Sequence, residues 1–356
     1  MLYKECWEET KSQYEKWWNK ELKKPLLSIN APKKFRRHQE YEWNGWDLLR
    51  EKGDPEKAVD NFEAMAEDFL FLGESYPNLW LNLGPGVMAA YITGFLGFSG
   101  DTAWFEHPME WDDIEKALIS LKQDNEWWVY TKTLAHLIGK RSQGKFLTGM
   151  TDLGGIMDIL ASLRGTENLL YDLIDQPERV INAMDRILEL WHICYDELNN
   201  ILSQYMEGTS AWMGLWCPTK WYPIQCDFSV MISPEMFEKF VAPYLREQAR
   251  RLDHTIYHWD GPGEIPHLDI LLDIDEIDGI QWVPGAGNEN VDSEAWLELY
   301  ERIQNKGKLL VLNGADPEKI SWLFERISPE GVYVSVYCDS EDKAYELLEW
   351  REKLNG

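Results

Sequence analysis

Apolar positions along the chain follow two regimes, and the change comes near residue 143. Beyond it, short β-prone apolar runs alternate with longer segments whose apolar residues recur at helical spacing. That alternation is the signature of βα units with parallel strands. It predicts strands at 145–149, 209–215, 254–258, 279–283, 308–312 and 331–337. Helices are expected at 165–204, 233–251, 291–306, 316–327 and 340–354.

Before residue 143 the text is less regular. An amphipathic helix over 2–22 is stopped by Pro25, and a strand follows at 26–31. A second helix is predicted over 54–72, started by Asp54-Pro55 and carried by Ala58, Phe62, Met65 and Phe69 at helical spacing. Residues 76–112 are rich in Gly, Pro and aromatics and read as an excursion above a scaffold. With one or two early strands the count approaches eight. The expected fold is therefore α/β, a closed (β/α)8 TIM barrel with an N-terminal helical and loop elaboration. No Gly/Ser/Pro-rich linker and no repeat of fixed period divides the chain. A single domain over 1–356 is expected, with 1–140 as the elaboration and 141–356 as the regular βα units.

Charge narrows the classes of partner. A formal net charge of −27 repels nucleic-acid phosphate and anionic lipid, so neither is expected to bind. The run Lys33-Lys34-Phe35-Arg36-Arg37 is a local exception, read as a solvated loop after a strand. The 5 cysteines are scattered, with no CxxC pair, unlike a secreted disulfide framework. The N-terminus lacks an apolar signal-peptide core, and no window approaches the roughly 18 apolar residues of a membrane span. A cytoplasmic location is the expectation. The 19 tryptophans exceed ordinary core use, so some are expected to line a pocket.

In a barrel of this kind chemistry gathers where strands end. Asp152 follows the 145–149 strand, and Trp216-Cys217 follows the 209–215 strand. Cys226-Asp227 lies in the run 224–232, and His258-Trp259-Asp260 ends the next strand. Gln281-Trp282, Asn313-Gly314 and Cys338-Asp339 end the three after that. Caps explain Asp339 and Asp316. They do not explain His258 and Asp260, which are two apart on extended backbone and so face one side. A His and a carboxylate on one side suit metal ligation or an acid/base pair. No GxSxG, GxxxxGK[ST], HExxH or full dinucleotide fingerprint competes.

Two blocks carry a family likeness. One is Gln225-Cys226-Asp227-Phe228-Ser229-Val230-Met231-Ile232-Ser233-Pro234-Glu235-Met236-Phe237, running on to Pro243-Tyr244. The other comprises Tyr257-His258-Trp259-Asp260-Gly261-Pro262, then His267-Leu268-Asp269, then Ile280-Gln281-Trp282-Val283-Pro284-Gly285. Over about residues 140–350 the chain resembles the uroporphyrinogen decarboxylase-like superfamily. The Arg-rich tetrapyrrole motif of true decarboxylases is missing, so the likeness implies the methyltransferase branch. Such an enzyme moves a methyl group between a corrinoid carried by a separate protein and a small acceptor, with zinc assistance. By that resemblance His258 and Cys338 are metal ligands. Asp260, standing where a Cys is expected, is a third ligand or an acid/base group, and Asp227 is a catalytic, substrate-orienting carboxylate.

Asp152, Trp216, Trp259, Gln281, Trp282 and Asn313 are expected to contact the substrate, with Trp212 and Trp221 as further pocket walls. A methylcorrinoid-bearing protein is the implied partner, and a homodimer is common for such barrels. Two rivals stay open. One is metal-free decarboxylase or lyase chemistry using Asp227 and Asp260; the other is a non-catalytic ligand-binding barrel.

Overall fold

A computed structural model describes residues 1–38 and 43–354. Its centre is a seven-stranded sheet in the order Phe69–Gly73, Leu26–Pro32, Val332–Tyr337, Leu309–Ala315, Gly279–Val283, His254–Asp260, Trp221–Gln225. All neighbours are parallel except Phe69–Gly73, which runs antiparallel to Leu26–Pro32. Helices alternate with the parallel strands, so both faces are covered and the strands read as nearly unbroken apolar runs. In Leu309–Ala315 the first four residues, Leu309 to Leu312, are all buried.

A second, shorter arc contains the parallel pair Asn78–Trp80 and Leu147–Gly149, and a parallel bridge joins Met150 to Ala211. The α/β architecture expected from the sequence is thus present, but among the described residues the pairings do not close into one eight-stranded ring. One break lies between the shorter arc and Trp221–Gln225, which share no ladder, and the other lies at Leu26–Pro32. The edge that closure would need is already taken by Phe69–Gly73. Those residues were expected to extend a helix, because Phe69 falls at helical spacing. The helix instead stops at Asp68, and the unbroken Phe69-Leu70-Phe71-Leu72 run goes extended. Apolar runs without polar interruption suit a strand better than an amphipathic helix.

Other differences have equally local causes. The 165–204 segment is two helices, Thr166–Asp175 and Pro177–Leu202, because a proline is tolerated only in the first turn. The helix Glu126–Ser142 went unread from its pattern, yet it carries a good start signal: the Asn125 side chain accepts from the N–H groups of Trp127 and Trp128. The strand Trp221–Gln225 was hidden by Pro223. Within its sheet that strand is an end strand, where a missing N–H costs little. No helix among the described residues is long and apolar enough to cross a membrane.

Candidate active site at the strand ends

The site begins with the alternation of side chains along His254–Asp260. His258 and Asp260 face one side of the sheet, and Tyr257 and Trp259 face the other. His258 is in register with Gln281, and Asn313 with Ser335, so four adjacent strands present polar groups on one face. These groups are linked. His258 Nδ1 lies 2.6 Å from Gln281 Oε1, Gln281 Nε2 donates to Asn313 Oδ1 at 2.7 Å, and Asn313 Nδ2 donates to Ser335 Oγ at 3.2 Å.

The chain of donors sets the histidine's tautomer. Gln281 spends its N–H on Asn313, so its oxygen accepts from His258 Nδ1–H. In the neutral ring Nε2 then keeps its lone pair. Trp212 meets the imidazole edge to face, with centroids 5.0 Å apart. His258, Gln281 and Asn313, all expected from the sequence, are therefore one unit.

Asp152 and Asp227 bear on this histidine, Asp260 bears on Asp227, and Asp158 and Glu264 adjoin Asp227 in turn. Asp152 is buried, and its Oδ1 accepts from Gly154 N–H at 2.8 Å. Burial, opposed by that bond and reinforced by Asp227, pushes its pKa up to about 7. Asp158 accepts from the N–H groups of Asp227 and Phe228 at 3.1 and 2.8 Å, which caps the short 3-10 helix Asp227–Met231. Burial and then Asp227 raise it to about 8. Asp227 opens to solvent but is walled by protein; it is raised by desolvation, while His258 draws it down and Asp260 pushes it up.

Glu264 is 0% exposed, and its Oε2 accepts from Tyr257 O–H at 3.0 Å. Its Oε1 has no partner. Burial, followed by repulsion from Asp227, raises it to about 9. Asp260 is half-buried. The structure thus gathers Asp152, Asp227, His258 and Asp260 as expected.

It adds Asp158 and Glu264, which the sequence reading missed. Glu264 follows directly on His258-Trp259-Asp260-Gly261-Pro262-Gly263, and that proximity was the available signal. Asp158 sits in the unread helix Ile156–Arg164.

Two glycines let this cluster form. Gly154 has φ +89°, and a Cβ there would come within 2.7 Å of the Gly86 Cα. At Gly155 an added Cβ would sit 2.2 Å from the Gln225 carbonyl oxygen and 2.3 Å from Asp158 Oδ2. Neither backbone can yield cheaply. Gly155→Ala is expected to cost about 3 kcal/mol of folding stability; urea unfolding would show it, and an unchanged midpoint would contradict this close approach.

The tryptophans are placed differently from expectation. Trp259 and Trp282 are in register on the face opposite His258, with centroids 4.6 Å apart, and Trp282 packs on Trp296 at 5.0 Å. Trp216 is wedged against Trp7 and Tyr14 of the N-terminal helix Trp7–Trp18, and its Nε1 donates to Glu207 O. Trp221 packs on Trp18. Burying aromatic area between layers is their role here. Trp212 is the tryptophan that touches the histidine.

The expected zinc ligands do not fit one ion. Cys338 is 0% exposed, and its thiol is raised first by burial and influenced next by Lys343, Asp339 and Glu318, groups of the flanking helices and loops. By alternation it falls with Val334 and Val336, while Ser335 shares the His258 face. Among the described residues no three His, Cys, Asp or Glu side chains are arranged to hold a metal ion. A His258–Asp260–Cys338 site is therefore not assembled among the described residues.

Two large hollows, of about 650 and 560 Å³, lie at the opposite ends of the strands, beside Gly307 and Gly331 and beside Lys24 and Gly73. Parallel α/β sheets bind ligands at the carboxyl ends of their strands, so the histidine side is the candidate site. Asp158 and Asp227 line a smaller cleft of about 270 Å³ with Glu106, Ser162, Thr166 and Phe228, and His258 is not among its walls.

Neither the protein-family models nor the curated proteins match this chain. Its structure is similar to that of a solved methyltransferase from Methanosarcina mazei, with a TM-score of 0.60 and 14% sequence identity. The likeness covers 97% of this chain and 98% of that one, so the α/β architecture is shared from end to end.

Proposed function

We propose that this chain is the methyl-transferring component of a corrinoid-linked system, working on a small molecule at the His258 mouth of an opened, uroporphyrinogen decarboxylase-like barrel. The observation that carries the reading is the His258–Gln281–Asn313–Ser335 chain, which leaves Nε2 as a proton acceptor facing acidic neighbours. The likeness to the methyltransferase of Methanosarcina mazei supports it.

The proton accounting is simple. When an acceptor X–H becomes X–CH3, its proton must leave as the new bond forms, and His258 Nε2 takes it. In the reverse direction the same group protonates the departing atom. Positive charge arising on the imidazole is met by Asp227 and Asp152, both of which His258 influences. The corrinoid, carried by another protein, supplies or receives the methyl group.

The test is direct. Purified chain is mixed with a free methylated corrinoid and a panel of thiols, phenols and amines, and corrinoid absorbance is followed. Enzyme-dependent demethylation with a methylated product is expected. No change across the panel, in either direction, would sink the reading.

A further inference from the structure

We propose that a small pocket behind the strand end Gln225-Cys226 binds one water molecule on the side-chain amide of Gln248, and that this water fastens the helix Ala242–Ala249 to the strand Trp221–Gln225. Nothing in this assignment depends on the methyl-transfer reading.

The first observation is a polar side chain at a core position. Val241, Leu245 and Gln248 follow one another at helical spacing and all are buried, Gln248 to 1% exposure. The helix packs on Trp221–Gln225. Neither Nε2 nor Oε1 of Gln248 has a hydrogen-bond partner. A single unmade bond is costly in a core, and here the donor and the acceptor of one group are both unmade.

The second is space of the right size beside that amide. Gln248 lines the pocket with Gln225, Cys226 and Tyr244, among apolar side chains that include Met157 and Met184. The centre of a water molecule has about 10 Å³ to occupy there. That is the room one water needs, roughly 10–15 Å³, and it is too little for a larger ligand. Cavities that stay dry are apolar, whereas this one carries an amide.

The third is the match of donors and acceptors. In a primary amide one N–H and the C=O lie along the same edge, so a single water can accept from Nε2 and donate to Oε1. Its other hydrogen and lone pair are left for Gln225 and Cys226. The Tyr244 hydroxyl is engaged elsewhere, with Asp185 Oδ1 at 2.8 Å and Ile181 O at 3.0 Å, so Gln248 is the anchor. The place matters to the mouth. Met157, in the pocket wall, directly precedes Asp158, and Cys226 directly precedes Asp227.

A high-resolution crystal structure of the full chain, with a water-to-amide nuclear Overhauser measurement in solution, tests the assignment. One spherical density peak is expected within about 3.2 Å of both Gln248 Oε1 and Nε2. The side-chain amide protons should show a cross-peak to water with the sign of a long-lived bound molecule. In Gln248→Leu, checked for folding by circular dichroism, the peak should be lost. A Gln248 amide bonded directly to protein groups, an amide with no density beside it, density too large for one water, or a peak that persists in Gln248→Leu would each overturn the assignment. If the variant does not fold, the wild-type density and cross-peak decide the question by themselves.

Discussion

His258→Ala is expected to lower methyl transfer by on the order of 10²–10⁴, the usual contribution of a positioned general acid/base. The loss should fall on kcat more than on KM, because the imidazole acts on a proton in flight and not on ligand binding. Gln281→Leu breaks the link between His258 and Asn313 but leaves the ring in place. A smaller loss, on the order of tenfold, is expected, with a changed pH–rate profile because the tautomer is no longer fixed. If His258→Ala retained full activity, the acceptor nitrogen would have no part in the chemistry.

The buried acids make folding stability depend on pH in an unusual direction. Asp152, Asp158 and Glu264 are raised to about 7, 8 and 9, each chiefly by burial. Unfolded carboxyls titrate near 4. Between about pH 4 and 9 the folded chain therefore holds protons that the unfolded chain has released, and stability falls as pH rises. Their contribution is complete below pH 4 and is lost as pH passes through 7 to 9.

General acidic repulsion in a chain of net charge −27 works in the same direction, so a variant must isolate the site. Glu264→Gln keeps the shape and removes the titration. Its stability relative to wild type should rise by about 2–4 kcal/mol between pH 5.5 and 8.5. Urea unfolding at the two pH values measures this difference, and parallel curves for the two proteins would contradict the buried-acid account.

Much of this was legible in the chain, for a physical reason. Parallel strands covered on both faces must be apolar throughout, and their ends must turn and carry polar groups. Runs such as 279–283 and 331–337 therefore stood out, as did the His258, Gln281 and Asn313 that end or adjoin them. The joining of those side chains followed from strand register, which the alternation allowed.

What failed was the assignment of faces beyond the first pair. Trp259 and Trp282 adjoin site residues in sequence, but odd spacing from His258 and Gln281 turns them to the outer layer. Cys338, three past Ser335, is turned away by the same parity. Sequence adjacency was a poor guide where alternation ruled. Asp158 and Glu264 were hidden differently: one lay in a helix with no clear start signal, and the other looked like an ordinary surface acid beside glycines. Among the described residues the ring stays open at two places: Phe69–Gly73 takes the free side of Leu26–Pro32, and Trp221–Gln225 shares no ladder with the shorter arc.

The most direct test of the central claim is chemical rescue at His258. Transfer of a deuterium-labelled methyl group would be followed in metal-stripped wild type, in metal-stripped His258→Ala, and in that variant with added imidazole. The account predicts an active stripped wild type, a nearly inactive variant, and imidazole-dependent recovery. An inert stripped wild type restored by zinc, with no rescue by imidazole, would contradict it.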